Sequence, residues 1–210
     1  MSVTVTRWWW IRHAPVVDDG GCFYGQMDME AYTGDTAVYR SLAESLPQEA
    51  VWFCSHLRRT HQTVAAIGEA GYPLPDVEHR RDLAEQHFGD WQGTPRAPAY
   101  EKYGGFYGFW LSVLDTAPPN GESFRDLRNR IGGAVERLSA EHRGRDIVVV
   151  AHGGTIRAAL VSALDLPSSR ALSFTIANSS LTQLDRVEVP GEDTRWSVNL
   201  LNGFGVTGLR

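Results

Sequence analysis

Three short polar clusters, each directly after an apolar run, carry residue types suited to phosphoryl chemistry. Arg12-His13-Ala14 follows the run 3–11, Ser55-His56-Leu57-Arg58-Arg59 follows 51–54, and His152-Gly153-Gly154 follows 147–151. Phosphoryl transfer requires cations that neutralise three equatorial oxygens and a nucleophile in line with the leaving oxygen. Arg12 and Arg59 can fork onto those oxygens with charge-assisted hydrogen bonds. A neutral imidazole, whose ordinary pKa is ~6.5, is a competent nucleophile toward phosphorus. His13, next to Arg12, is the candidate nucleophile, and its second ring nitrogen is expected to donate to a backbone carbonyl. His152 is expected across the phosphoryl group, stabilising charge in the transition state. A single histidine or arginine after a strand reads as an ordinary loop residue. Three such ends matter together if the strands are neighbours, because ligands bind at the carboxyl ends of strands in an open α/β sheet.

The elements needed to position these clusters are legible along the chain. Residues 3–11, with Trp8, Trp9 and Trp10, read as a strand buried on both faces, and 51–54 as a short second strand. The run 147–151 is the clearest buried strand. Asp35 is placed to cap a helix whose apolar face is Tyr39, Leu42, Ala43 and Leu46, stopped by Pro47. Leu57, Val64 and Ile67 predict a helix ending near Gly71. Leu127, Ile131, Val135 and Leu138 predict another, and Ile156, Ala159, Leu160, Ala163 and Leu164 a third. The chain after Val77 reads as irregular through Gly93. The Pro- and Gly-bearing stretch 94–121 reads as an excursion over the active face, with a short helix near 109–114. Two or three strands are expected, around 172–176, 181–187 and 196–200. Alternating strands and helices predict a three-layer α/β/α sandwich with a mostly parallel central sheet. At 210 residues, 1–210 reads as one domain. Trp8, Trp9, Trp10 and Trp52 are assigned to the core, with Trp91 and Trp110 as candidates for the pocket.

Composition narrows the chemistry. The net charge is −5, which argues against a dominant electrostatic role on nucleic acid or an anionic membrane. An anionic substrate must therefore meet a local cluster of cations. Cys22 and Cys54 do not make a disulfide framework and read as packed thiols in a reducing compartment. The N-terminus has no signal-like pattern, and no apolar stretch reaches the ~18 residues of a spanning helix, so a soluble, cytoplasmic protein is expected. A cysteine phosphatase would need an arginine six residues after its cysteine, where Cys54 has Thr60. No Gly-x-x-x-x-Gly-Lys-Ser/Thr is present, and His56 and His61 miss the spacing that would align two metal ligands on one helix face. No metal and no cofactor are expected.

Four blocks resemble the histidine phosphatase superfamily, whose fold is phosphoglycerate-mutase-like. They are Arg12-His13-Ala14, Ser55-x-Leu57-x-Arg59-Thr60-x-Gln62-Thr63, Leu83-x-Glu85-x-x-Phe88-Gly89-x-Trp91-x-Gly93, and His152-Gly153-Gly154-x-Ile156-Arg157. The resemblance implies that His13, Glu85, His152, Arg12 and Arg59 form the catalytic set, with Gly153 beside the substrate. Glu85 then matches the family's general acid, in an irregular segment able to swing over the site, and would later deprotonate water. Ala14 departs from the family's usual glycine; one methyl is tolerable if φ is negative. The activity implied is a metal-independent phosphomonoesterase on a small phosphorylated metabolite. The alternatives are a cofactor-dependent phosphoglycerate mutase and a non-catalytic phospho-ligand-binding member. Mutases place Arg and Tyr where this chain has Gln86 and Phe88, which favours the phosphatase. The turn Tyr24-Gly25-Gln26-x-Asp28 is similar to that of α-ribazole phosphatases and makes Tyr24 and Gln26 candidate pocket residues. The oligomeric state is open, a homodimer being one option.

Overall fold

The computed structural model describes residues 2–204, so residues 1 and 205–210 of the expected 1–210 domain lie outside the described residues. One six-stranded sheet organises the described chain. Its strands are β1 (Thr4–Arg12), β2 (Ala50–Ser55), β3 (Val77–Arg80), β4 (Asp146–Ala151), β5 (Leu181–Glu188) and β6 (Arg195–Gly203). They lie in the order β3-β2-β4-β1-β5-β6. The first four of these are parallel, while β5 runs antiparallel to β1, and β6 to β5. The sheet is sandwiched by helices, giving the expected three layers.

Strand alternation explains both cores. Trp8 and Trp10 stack at 5.2 Å on one face, where Val149 and Ala151 of β4 also point. That face packs against α5 (Phe124–Glu141) through Leu127, Ile131 and Leu138, and against α6 (Gly153–Ala163) through Ile156 and Leu160. Trp9, Ile11, Val148 and Val150 face the opposite way, onto α1 (Thr36–Ser45) and α2 (Arg58–Glu69). Trp52 belongs to that second core too. The indoles of Trp8 and Trp9 are satisfied by Ser139 Oγ and Asp146 Oδ1. α5 begins with a capping box, in which Ser123 Oγ accepts from the Asp126 amide and the Asp126 carboxylate accepts from the Ser123 amide.

The structure corrects several sequence expectations. β3 was read as irregular chain; Val77-Glu78-His79-Arg80 lacks apolar alternation because it is a short edge strand paired only with β2. Residues 172–176 form no strand, and Ser168–Ser173 is a 3-10 segment. The carbonyls that a neighbouring strand would have used face arginines instead: Phe174 O accepts from Arg157 Nε and Ile176 O from Arg12 Nη1. Asp35 occupies the N-cap position of α1, but its side chain makes no capping bond. The stretch 94–121 carries two short helices, α3 (Arg96–Lys102) and α4 (Phe106–Ser112), rather than one near 109–114. Of the two thiols, Cys54 is buried but Cys22 is half-buried. Among the described residues, no helix is long and apolar enough to cross a membrane.

Candidate active site

Strand register brings the three clusters together. Arg12 lies beside Ala151 in the β1–β4 pair, and Cys54 beside Val150 in the β2–β4 pair. His13, Ser55 and His152 are therefore delivered to one edge of the sheet, at the carboxyl ends of adjacent parallel strands. The His13 and His152 rings lie 5.1 Å apart between centroids, and both are buried. His13 Nδ1 lies 2.6 Å from the Ala14 carbonyl oxygen. A carbonyl can only accept, so Nδ1 carries the proton and Nε2 keeps its lone pair. That is the expected clamp. Ala14 is buried, donates its amide to Thr63 Oγ1 at 2.8 Å, and is not among the residues with positive φ, so its methyl is accommodated without strain.

Arg59, in the first turn of α2, is wholly buried. Its Nη2 donates to Gly25 O at 2.7 Å, Nη1 to Met27 O at 2.8 Å, and Nε to His152 Nδ1 at 3.2 Å. With Nδ1 accepting, His152 carries its proton on Nε2 and donates to Ser55 Oγ at 2.7 Å. Both ring nitrogens are thus engaged by protein, and His152 faces Arg59 and Ser55 rather than standing free for a phosphoryl oxygen. Of the five N–H bonds on the Arg59 guanidinium, three are engaged and one on each terminal nitrogen remains. Arg12 differs. Its Nη1 is held by Ile176 O, while its Nε is buried with no acceptor.

Gly153 and Gly154 open α6, whose N-terminus points at this cluster. A side chain on residue 153 would lie 3.2 Å from Arg157 Nη1 and 3.4 Å from Arg12 Nε, so glycine makes room for both cations. A side chain on residue 154 would collide with the Glu85 carboxylate. Instead Glu85 Oε2 accepts the Gly154 amide at 3.1 Å and Oε1 accepts the Gln86 amide at 3.0 Å. The segment around Glu85 is pinned rather than poised to swing. Arg130 on α5 donates to the carbonyls of Asp82, Ala84 and Glu85, and Thr155 Oγ1 donates to Ala84 O. Sequence reasoning missed Arg130. Its only signal is a basic residue on α5 in a chain rich in arginine. Gln26 donates through Nε2 to Glu85 O at 2.7 Å, so it braces the backbone that carries Glu85.

A cavity of ≈ 320 Å³ leads away from Arg12, Glu85 and Gly153. Its walls include Phe23, Tyr24, Phe88, Tyr100, Phe106 and Trp110, the last three from the two helices of the 94–121 stretch. Trp91 packs against the aromatic cluster behind this wall without lining it. Two further cations reach the cavity. Arg96 is paired with Asp19 at 2.8 Å, whereas Arg157 is anchored only through Nε on Phe174 O. Arg157 was present in the sequence motif but not singled out for the site.

Burial, followed by the Arg59 and Arg12 cations, holds the His13 ring well below the ordinary imidazole value, against the pull of its bond to Ala14. Burial, Arg59 and His13 do the same to His152. Both rings are neutral at pH 7. In the unfolded chain each titrates near ~6.5, so the fold is fully stable above that value and weakens as pH falls toward the depressed folded values. Denaturant unfolding between pH 7 and 5 should therefore show stability dropping by up to ~1.4 kcal/mol per pH unit for each histidine. Saturating phosphate, by adding negative charge, should make the drop shallower. A flat profile across that window would contradict this picture of the site.

The chain matches the family model "Histidine phosphatase superfamily (branch 1)" over residues 8–202. It is 32% identical over 198 residues to glucosyl-3-phosphoglycerate phosphatase of Mycobacterium tuberculosis, covering 87% of each chain. The solved native structure of the mycobacterial glucosyl-3-phosphoglycerate phosphatase superposes with a TM-score of 0.79 at 28% identity, over 96% of this chain and 100% of that one. A putative α-ribazole-5'-P phosphatase from Escherichia coli shares the fold, with a TM-score of 0.78 at 21% identity over 96% of this chain and 98% of that one. A family match spanning nearly the whole described chain settles the membership: this protein belongs to the histidine phosphatase superfamily.

Proposed function

We propose that the protein is a metal-independent phosphomonoesterase that works through a phosphohistidine on His13. The observation that carries this reading is the pairing of a clamped imidazole with an unsatisfied cation. His13 presents an Nε2 lone pair beside Arg12, whose buried Nε–H has no acceptor. A phosphoryl oxygen would supply that acceptor. The Nε2 lone pair attacks phosphorus, the bond to the alcohol oxygen breaks, and Glu85 gives that oxygen a proton. Glu85 then takes a proton from water, whose oxygen attacks the phosphohistidine. The P–N bond breaks and the neutral ring is restored. Arg12 and the remaining N–H bonds of Arg59 hold the equatorial oxygens. His152 keeps Arg59 oriented by accepting its Nε–H at Nδ1. The set needs no metal because the arginines neutralise the charge.

The cavity bears on the substrate's alcohol. Its aromatic walls favour a flat, apolar or heteroaromatic group, which fits α-ribazole phosphate with its benzimidazole base. One observation favours a second reading. The free end of Arg157 could hold a carboxylate, as glucosyl-3-phosphoglycerate would require. A mutase reading has less support, because Gln86 is tied to Glu122 O and Phe88 sits in the aromatic cluster. Neither residue offers charge to a phosphoglycerate.

Glu85→Gln should slow hydrolysis of alkyl phosphates by roughly 10²–10⁴-fold, and aryl phosphates with acidic leaving groups far less. Steady-state kinetics over a leaving-group series checks this; an equal loss throughout would remove Glu85 as the acid. For the alcohol, kcat/KM should be at least about tenfold higher for α-ribazole phosphate and other phosphates whose alcohol carries an aromatic group than for small aliphatic ones. Glucosyl-3-phosphoglycerate as the best substrate, with a selective KM rise in Arg157→Gln, would move the assignment to the second reading.

A further inference from the structure

Outside the site, three metal-ligating side chains meet on the sheet face covered by α2. Cys54 and His79 are partners in the β2–β3 ladder, so their side chains lie next to each other on one face. His61, on α2, packs over that face with its ring stacked on His79 at 4.0 Å between centroids. The potential ligand atoms of Cys54, His61 and His79 all lie within 4.8 Å of one another. Sequence spacing hid this group, because strand pairing rather than a short motif joins Cys54 to His79.

We propose that Cys54, His61 and His79 form a binding site for Zn²⁺, separate from the phosphoryl-transfer site and independent of the phosphatase reading. The donor set selects the ion: one thiolate and two imidazoles suit Zn²⁺, whereas Mg²⁺ and Ca²⁺ require oxygen ligands. His61 is already arranged as a ligand. Its Nε2 lies 2.9 Å from Ser55 O, so Nε2 carries the proton and Nδ1 keeps its lone pair. Zinc-bound histidines commonly donate their other N–H to a backbone carbonyl in this way. Bonds of about 2.0–2.3 Å to zinc draw the donors together by roughly an ångström. His79, exposed on the edge strand, is free to make that movement. On binding, the Cys54 S–H proton passes to solvent, a Zn–S bond forms, and water leaves the ion. No electron transfer is involved.

The site also has a link to the reaction centre. Ser55 receives His61 on its carbonyl and His152 on its hydroxyl. Zinc would thus brace the corner formed by β2, β3 and α2 from behind the active site.

Titration of the metal-free full-length protein with zinc chloride, in competition with a chromophoric chelator, should reveal one bound ion per chain. His79→Ala, a change at an exposed position, should lower that affinity by more than the roughly 10–100-fold typical of losing an outer partner. It should leave metal-free phosphatase activity unchanged. Co²⁺ substitution should give a thiolate-to-cobalt charge-transfer band that disappears in Cys54→Ser and in His79→Ala, so the test survives if the cysteine variant fails to fold. Absence of binding, or binding unaffected in His79→Ala but lost in His13→Asn, would overturn the proposal.

Discussion

The site depends on guanidinium groups held close to two buried imidazoles with little opposing charge. Arg59 is wholly buried and caged by the carbonyls of Gly25 and Met27, and Arg12 is tethered by Ile176 O. Neutral carbonyls satisfy hydrogen bonds without cancelling charge. Burial first, and after it the surplus positive potential of the arginines, keeps His13 and His152 neutral, and a phosphate dianion would relieve the second of these. The surrounding structure can be understood as support for this arrangement. β1 and β4 set Arg12 against the start of α6, Gly153 clears space for two cations, and Arg130 fixes the backbone that presents Glu85.

The apolar elements were readable from the chain because their patterns reflect burial on two faces. Trp8, Trp9 and Trp10 alternate between two cores, and Ile147 through Ala151 are buried on both sides, so a strand is the only economical reading. His13 and its clamp were legible because they rest on adjacency in sequence. What escaped was determined by long-range partners. β3 has little apolar content because an edge strand needs little. Residues 172–176 look like a strand, yet their carbonyls are claimed by Arg12 and Arg157 from elsewhere in the chain. That the Gln26 amide holds Glu85's backbone is also a long-range contact. The His152 ring's commitment to Arg59 and Ser55 likewise depends on geometry that spacing cannot convey.

In the proposed mechanism the chemistry and the selectivity rest on different parts of the chain. Charge and tautomer are set on the rigid sheet edge, whereas the cavity walls draw on Tyr100, Phe106 and Trp110 from the short helices of the 94–121 stretch. Loop-borne helices can change without disturbing the phosphoryl centre, and this is a physical reason why one fold accepts different phosphorylated alcohols.

The proposed mechanism requires His13 as the covalent carrier. Rapid-quench mixing with a phosphorus-labelled substrate, followed by peptide mapping, tests this directly. An acid-labile, base-stable phosphoryl group is expected on His13, formed and lost at rates that support turnover and absent in His13→Ala. Turnover by the wild type with no such adduct, or label on another residue, would contradict it.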